Sequence, residues 1–182
     1  SSRFLTAVAA LFSSTTIIDG EAALRSRPMS DLHEALSSLG ADVVHLGEIG
    51  HLPVSISRGS MSGGDIHIAG NVSSQFISAL MLIGPKLSEG LTIHVDGPLI
   101  SRSYVEMTAD VMRSFGATVT FNGSTIVVAS GSYGGRDYTI EPDYSSAAFP
   151  LSAVAVREGR VVIPGLATAS LQGDSEIVPI LQ

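Results

Sequence analysis

Ser1-Ser2-Arg3-Phe4 returns as Ser73-Ser74-Gln75-Phe76, and again, more loosely, as Ser145-Ser146-Ala147-Ala148-Phe149. The three copies start at positions 1, 73 and 145, a constant period of 72 residues. Other landmarks keep the same order. Gly63–Ile68 (GGDIHI) precedes the second copy and Gly135–Ile140 (GRDYTI) the third. Leu39-Gly40-Ala41-Asp42-Val43 in the first copy matches Phe115-Gly116-Ala117-Thr118-Val119 in the second. Four landmarks in one order identify an internally repeated architecture, and the repeat sets the fold.

Each copy reads as a short α/β unit. Phe4 to Phe12 is apolar and Ala-rich, which suits a buried helix capped by Ser1 or Ser2. Thr15 to Ile18 is β-branched and closed by Asp19-Gly20, the pattern of a strand. Pro28 opens a second helix whose Leu32, Leu36 and Leu39 recur at helical spacing, and Gly40 ends it. Strands follow at 41–46, 54–57 and 65–69. The second copy predicts helices near 74–83 and 102–115, with strands near 91–95, 117–121, 125–129 and 137–141. The third predicts a helix near 146–157, a strand at 160–163 and a last helix after Gly173-Asp174. In cyclic order the unit is β-α-β-α-β-β, an α/β (α+β) fold. No strand precedes Ser1, and the glycine that closes the second helix would fall beyond residue 182. The repeat register therefore predicts that both ends lie inside a longer polypeptide.

Composition narrows the function. With 182 residues, 45% hydrophobic and 15% charged, the chain has the material for a packed core. A net charge of −7 argues against bulk binding to nucleic acid or to an anionic membrane. No cysteine is present, so disulfides, thiolate metal sites and Cys nucleophiles are excluded, as fits a cytoplasmic protein. No apolar run approaches the ~18 residues of a membrane span.

Among residues that carry chemistry, His33, His45, His51, His67 and His94 match no zinc spacing and read as structural, with His67 and His94 facing solvent from strands. Ser73 and Ser74 stand at a helix start directly after a strand, and Ser101 opens the next helix as Ser101-Arg102-Ser103-Tyr104. Helix starts offer free N–H groups and the positive end of a dipole, so two of them with added hydroxyls could converge on one phosphate. The same serines also suit simple N-capping. Arg27, just before Pro28, can bind a carboxylate or phosphate bidentately, Arg3 lies near the first helix start, and Gln75 can donate to an oxyanion. Asp143 could orient a ligand or cap the third copy's helix. No nucleophile has an adjacent base.

These residues resemble a family. The 72-residue repeat, Arg25-Ser26-Arg27-Pro28-Met29, Ser73-Ser74-Gln75-Phe76, Ser101-Arg102-Ser103-Tyr104 and Asp143-Tyr144-Ser145-Ser146-Ala147 are similar to 5-enolpyruvylshikimate-3-phosphate synthase over essentially all 182 residues. UDP-N-acetylglucosamine enolpyruvyl transferase ranks second, and a non-catalytic phosphate-binding or purely structural β/α repeat domain is the reading from another class. The resemblance implies two similar domains of three repeat units each, with inner helices and surrounding parallel sheet-like faces. Residues 1–172 would form most of the shikimate-phosphate side, with two full units near 1–72 and 73–144 and a partial third from 145. Residues 173–182 would cross to the second domain. It implies transfer of the enolpyruvyl group of phosphoenolpyruvate to shikimate 3-phosphate without metal or organic cofactor. By resemblance, Ser73, Ser74, Gln75, Ser101 and Tyr104 meet shikimate 3-phosphate, while Arg27, Gln75 and Arg3 meet phosphoenolpyruvate. Ser103 stands where the family has Pro. The family's general base and its clamping lysines have no counterpart here, so the resemblance implies that the isolated chain is inactive without the remainder of the polypeptide.

Overall fold

A left-handed glycine closes two of the helices in the same way, and it explains one of the repeated landmarks. Helix α3 (Ser30–Ser38) ends at Leu39, Gly40 takes φ +95°, and the Ala41 N–H donates to the Leu36 carbonyl at 3.0 Å. Helix α5 (Arg102–Ser114) ends at Phe115, Gly116 takes φ +91°, and the Ala117 N–H donates to the Met112 carbonyl at 3.0 Å. Both are Schellman caps, in which only glycine sits in the left-handed position without strain, and a buried alanine follows each.

The computed structural model describes every residue except Glu158, Thr168 and Gln182. Two compact units emerge, Ser1–Gly134 and Gly135–Gln182. In the first, the order is α1 (Ser2–Ala9), β1 (Thr16–Ile18), α2 (Ala22–Arg25), α3, β2 (Asp42–His45), β3 (Val54–Ser57), β4 (Gly64–Ala69), α4 (Ser74–Ile83), β5 (Leu91–Asp96), α5, β6 (Val119–Asn122) and β7 (Thr125–Val128). One sheet has the order β1-β3-β2 and is antiparallel throughout, with Ile17 opposite Ser55 and Val44 opposite Ser55. The other has the order β4-β5-β7-β6, in which only β4 and β5 run parallel. The sheet faces are thus mixed rather than parallel, because short turns join β6 to β7 and reverse the chain.

Helix α4 holds the centre of this unit. Phe76, Ile77, Ala79, Leu80, Met81 and Ile83 are all buried, and the helix packs against α1, α3 and α5. Alternating strand residues join the same core from the sheets: Val54 and Ile56 on one, Ile66, Ile68, Leu91, Ile93, Ile126 and Val128 on the other. Each large side chain so buried contributes about 1.5–3 kcal/mol of transfer free energy. Helix α1 corrects the expectation of a buried helix. Thr6, Ala7 and Ala9 are buried, whereas Leu5 and Phe12 are more than half exposed, because α4 covers one face only.

In the second unit, α6 (Tyr144–Val156) is followed by a 3₁₀ turn at Gly173–Glu176 and a short α7 (Ile177–Ile180). Gln172 ties the segment beyond α6 to the one before it: its Nε2 donates to Glu141 Oε2 and the Pro142 carbonyl, both at 2.9 Å, and its Oε1 accepts from the Tyr144 N–H at 2.8 Å. The strands expected at 137–141 and 160–163 do not form. A strand needs a neighbour for its N–H and C=O groups, and this unit has none among its described residues, so Ile140 stays 84% exposed.

His33 is the one imidazole inside the core, 2% exposed on α3. Its Nδ1 lies 3.1 Å from His45 Nε2, while its own Nε2 has no partner among the described residues. A buried N–H without an acceptor costs more than a bare lone pair, so the proton sits on Nδ1 and is donated to His45. Burial, with help from the His45 and His51 charges, lowers the His33 pKa from 6.5 to about 4. The unfolded chain therefore binds this proton more readily, so the associated stability is complete above about pH 6.5 and is lost as pH falls toward 4. Urea unfolding at pH 7 and pH 4.5 should differ by on the order of 2 kcal/mol more in the native chain than in a His33→Leu variant. An equal acid loss in both would show that His33 does not carry the effect.

Candidate functional site

Strands β4 and β5 lie parallel from Gly64 opposite Leu91 to Ala69 opposite Asp96, so both leave the sheet at one edge, and each is followed by a helix. That is the arrangement in which helix starts gather beyond the carboxyl ends of adjacent strands. The two connecting loops are laced together. The Gly70 N–H donates to the Asp96 carbonyl at 2.8 Å, and the Ile100 N–H donates to the Gly70 carbonyl at 3.0 Å. A Cβ on residue 70 would stand 2.6 Å from the Pro98 carbonyl oxygen, so the close approach requires glycine. One turn into the helices, Thr108 Oγ1 donates to the Tyr104 carbonyl and accepts from Ser78 Oγ at 2.7 Å. Residues four apart share a helix face, so Ser74 lies on the Ser78 face of α4 and Tyr104 on the Thr108 face of α5, one turn nearer the helix starts.

Ser73 caps α4, its Oγ accepting from the Gln75 N–H at 3.4 Å. Ser101 occupies the cap position of α5 but makes no cap bond, and its φ of 58° and ψ of 43° lie in the left-handed region. Among the described residues the hydroxyls of Ser74, Ser101 and Tyr104 have no partner within the protein, and Ser101 and Tyr104 are exposed. The first helix adds a cation. Arg3 Nη1 donates to Ser73 Oγ at 2.8 Å and to Gln75 Oε1 at 3.0 Å, and its guanidinium carbon lies 4.6 Å from the centre of the Phe76 ring. Burial, and then the neighbouring charge of Arg27, lower the Arg3 pKa.

Among the described residues Arg3 and Arg27 lack the carboxylate partner that Arg25 and Arg102 have. Arg25 is held bidentately by Asp19, at 2.8 and 2.7 Å, and Arg102 is held by Glu106 at 2.7 Å. No carboxylate pairs with Arg3 or Arg27 among the described residues. Two like charges near each other and left uncompensated raise the local potential, and a bound anion relieves it. A cavity of about 430 Å³ between α3 and β4 offers the opposite environment, lined by Asp31, Glu34 and Asp65, and would repel an anion.

The structure thus joins Arg3, Ser73 and Gln75 by hydrogen bonds, places Arg27 within electrostatic reach of Arg3, and brings Ser74, Ser101 and Tyr104 to the same edge through the laced loops. Asp143 is occupied differently. Its carboxylate accepts from the Ser145 and Ser146 N–H groups at 3.1 Å and from Ser146 Oγ at 2.6 Å, which hold its pKa down and make it the cap of α6. The bonds from Arg3 to Ser73 and Gln75 were not foreseen. Their signal lay in the repeat, because Arg3 and Gln75 are equivalent positions 72 residues apart.

The family model described as EPSP synthase (3-phosphoshikimate 1-carboxyvinyltransferase) matches residues 1–182. A 3-phosphoshikimate 1-carboxyvinyltransferase of Methanothermobacter thermautotrophicus is 43% identical over 179 residues, which cover 98% of this chain and 42% of that protein. The protein of the same name from Methanocorpusculum labreanum is 42% identical over 181 residues, 99% of this chain and 42% of that one. The chain therefore spans about two-fifths of the length of these curated relatives. Among solved structures, an EPSP synthase from Acinetobacter baumannii superposes with a TM-score of 0.73 at 27% identity, covering 92% of this chain and 37% of that one.

The backbone at Ser101 allows the hydroxyl's purpose to be tested. A left-handed non-glycine residue costs roughly 1 kcal/mol, while glycine adds a similar entropy to the unfolded chain. Ser101→Gly should leave urea stability within about 1 kcal/mol of the native chain while weakening anion binding. A loss of stability well beyond that would make Ser101 a structural cap instead.

Proposed function

Because the chain belongs to the EPSP synthase family, we propose that it supplies the shikimate 3-phosphate side of a carboxyvinyl transferase, which moves the enolpyruvyl group of phosphoenolpyruvate to the 5-hydroxyl of shikimate 3-phosphate and releases phosphate. The observation that carries this reading is the meeting of two helix starts at one sheet edge beside two arginines that no carboxylate neutralises among the described residues. The N–H groups at the starts of α4 and α5, with the hydroxyls of Ser73, Ser74 and Ser101, surround the phosphate of shikimate 3-phosphate with donors. Tyr104 lies beside the sugar-like ring. Gln75 reaches both substrates, and Arg27 and Arg3 face the carboxylate and phosphate of phosphoenolpyruvate. In this reading residues 1–172 form one domain and residues 173–182 lead toward the next, and the reaction needs no metal or organic cofactor.

Proton transfer requires an acid and a base within hydrogen-bond reach of the reacting carbons. The candidate residues here are arginines, hydroxyls and an amide, none of which serves as a base near neutral pH, so the rest of the polypeptide supplies that chemistry. No described helix is long and apolar enough to cross a membrane, and the enzyme is expected to work in the cytoplasm.

Calorimetric titration with shikimate 3-phosphate tests the site. Ser74→Ala and Ser101→Ala should each weaken binding by roughly 1–3 kcal/mol. Unchanged affinity in both variants would place the phosphate elsewhere. With phosphoenolpyruvate added, the 182-residue chain should give no turnover, and phosphate release above background would contradict the division of labour.

A further inference from the structure

The contacts of Arg3 do more than bring a charge to the site. A guanidinium can only donate, so the Gln75 atom that faces it must be Oε1, and the amide N–H groups then point away from Arg3. Ser73 Oγ accepts from Arg3 at 2.8 Å and from the Gln75 N–H at 3.4 Å. A hydroxyl has two lone pairs and one proton, so with both lone pairs engaged Ser73 keeps only its proton to offer. Neither that proton nor the Gln75 amide protons have an acceptor among the described residues. Serine and glutamine are ordinarily ambivalent, able to donate or accept; here Ser73 keeps only its proton to offer, and Gln75 is oriented with Oε1 turned to Arg3 and its amide N–H groups turned away.

We propose that Arg3 is a positioning residue that sets Ser73 and Gln75 as donors, so that the site selects a phosphate monoester dianion over its monoanion. The proposal rests on the reading of this edge as a phosphate-ester site. A dianion presents acceptors only and matches donors on every side. A monoanion carries a P–O–H proton that needs an acceptor, and the two Ser73 lone pairs are held by Arg3 and by the Gln75 N–H, while Gln75 Oε1 is turned toward Arg3. Phosphate monoesters lose their second proton near pH 6, so the preference falls within an accessible range.

The test is a double-mutant cycle on the 182-residue chain, read by titration with shikimate 3-phosphate at pH 7.5 and pH 5.5. Arg3→Met removes the donors while keeping an unbranched side chain at this position, and should lower affinity about tenfold at pH 7.5. The same change in a Ser73→Ala/Gln75→Ala background should lower it less than about threefold, because the groups through which Arg3 acts are gone. The fall in affinity from pH 7.5 to 5.5 should also be shallower in Arg3→Met, in which Ser73 regains a lone pair and Gln75 is free to turn its Oε1 to the ligand. An equal factor in both backgrounds, or an unchanged pH dependence, would overturn the proposal and leave Arg3 acting on the ligand by its charge. Thermal melting checks each fold, and Arg3→Gln runs through the same cycle if Arg3→Met unfolds. Absence of binding by the unmutated chain would instead remove the phosphate-site reading, and the proposal with it.

Discussion

Six residue pairs along β4 and β5, from Gly64–Leu91 to Ala69–Asp96, decide where everything else can go. A parallel pair cannot be joined by a tight turn, so the chain must travel from the end of one strand back to the start of the next, and α4 is that return. Once α4 is committed to the crossover it lies in the middle of the core, with seven of its ten residues buried. Because β5 runs alongside β4 in the same direction, its own following helix must begin at the same edge. The phosphate-friendly ends of two helices are brought together by strand direction, and the lacing through Gly70 fixes their separation.

Charge placement then favours an anion at this edge. The chain as a whole carries −7, and its carboxylates neutralise Arg25 and Arg102 close by. Arg3 and Arg27 are left without such partners among the described residues. An overall acidic protein can hold an anion when a few cations and backbone dipoles set the local field, and screening over about 8–10 Å hides the distant negative charge. Desolvation of Arg3 sharpens the effect, since a partly buried guanidinium gains more from a bound anion than a hydrated one.

Much of this could be read before the structure. Ser73-Ser74-Gln75-Phe76 marked the start of α4, and the predicted span 74–83 matches Ser74–Ile83. Leu39-Gly40-Ala41 and Phe115-Gly116-Ala117 marked two Schellman caps, because a left-handed turn leaves glycine as its residue. The strands at 137–141 and 160–163 were misjudged for a physical reason. β-Branched composition shows what a segment could do, while a strand also needs a partner to bond. Helix α1 was misread as buried because apolar content alone does not say how many faces are covered. The serines were legible as donors, yet the fixed polarity of Ser73 was not, since it depends on Arg3 reaching across 70 residues of sequence to it.

The central claim is that the helix starts after β4 and β5 form one phosphate site, and amide chemical-shift mapping by NMR tests it most directly. Titrating shikimate 3-phosphate into the ¹⁵N-labelled chain should move the amides of residues 73–76 and 101–104 together, with a single dissociation constant, and shift the Arg3 Nε–H in step. Shifts confined to one helix start, or centred on the acidic cavity lined by Asp31, Glu34 and Asp65, would contradict it.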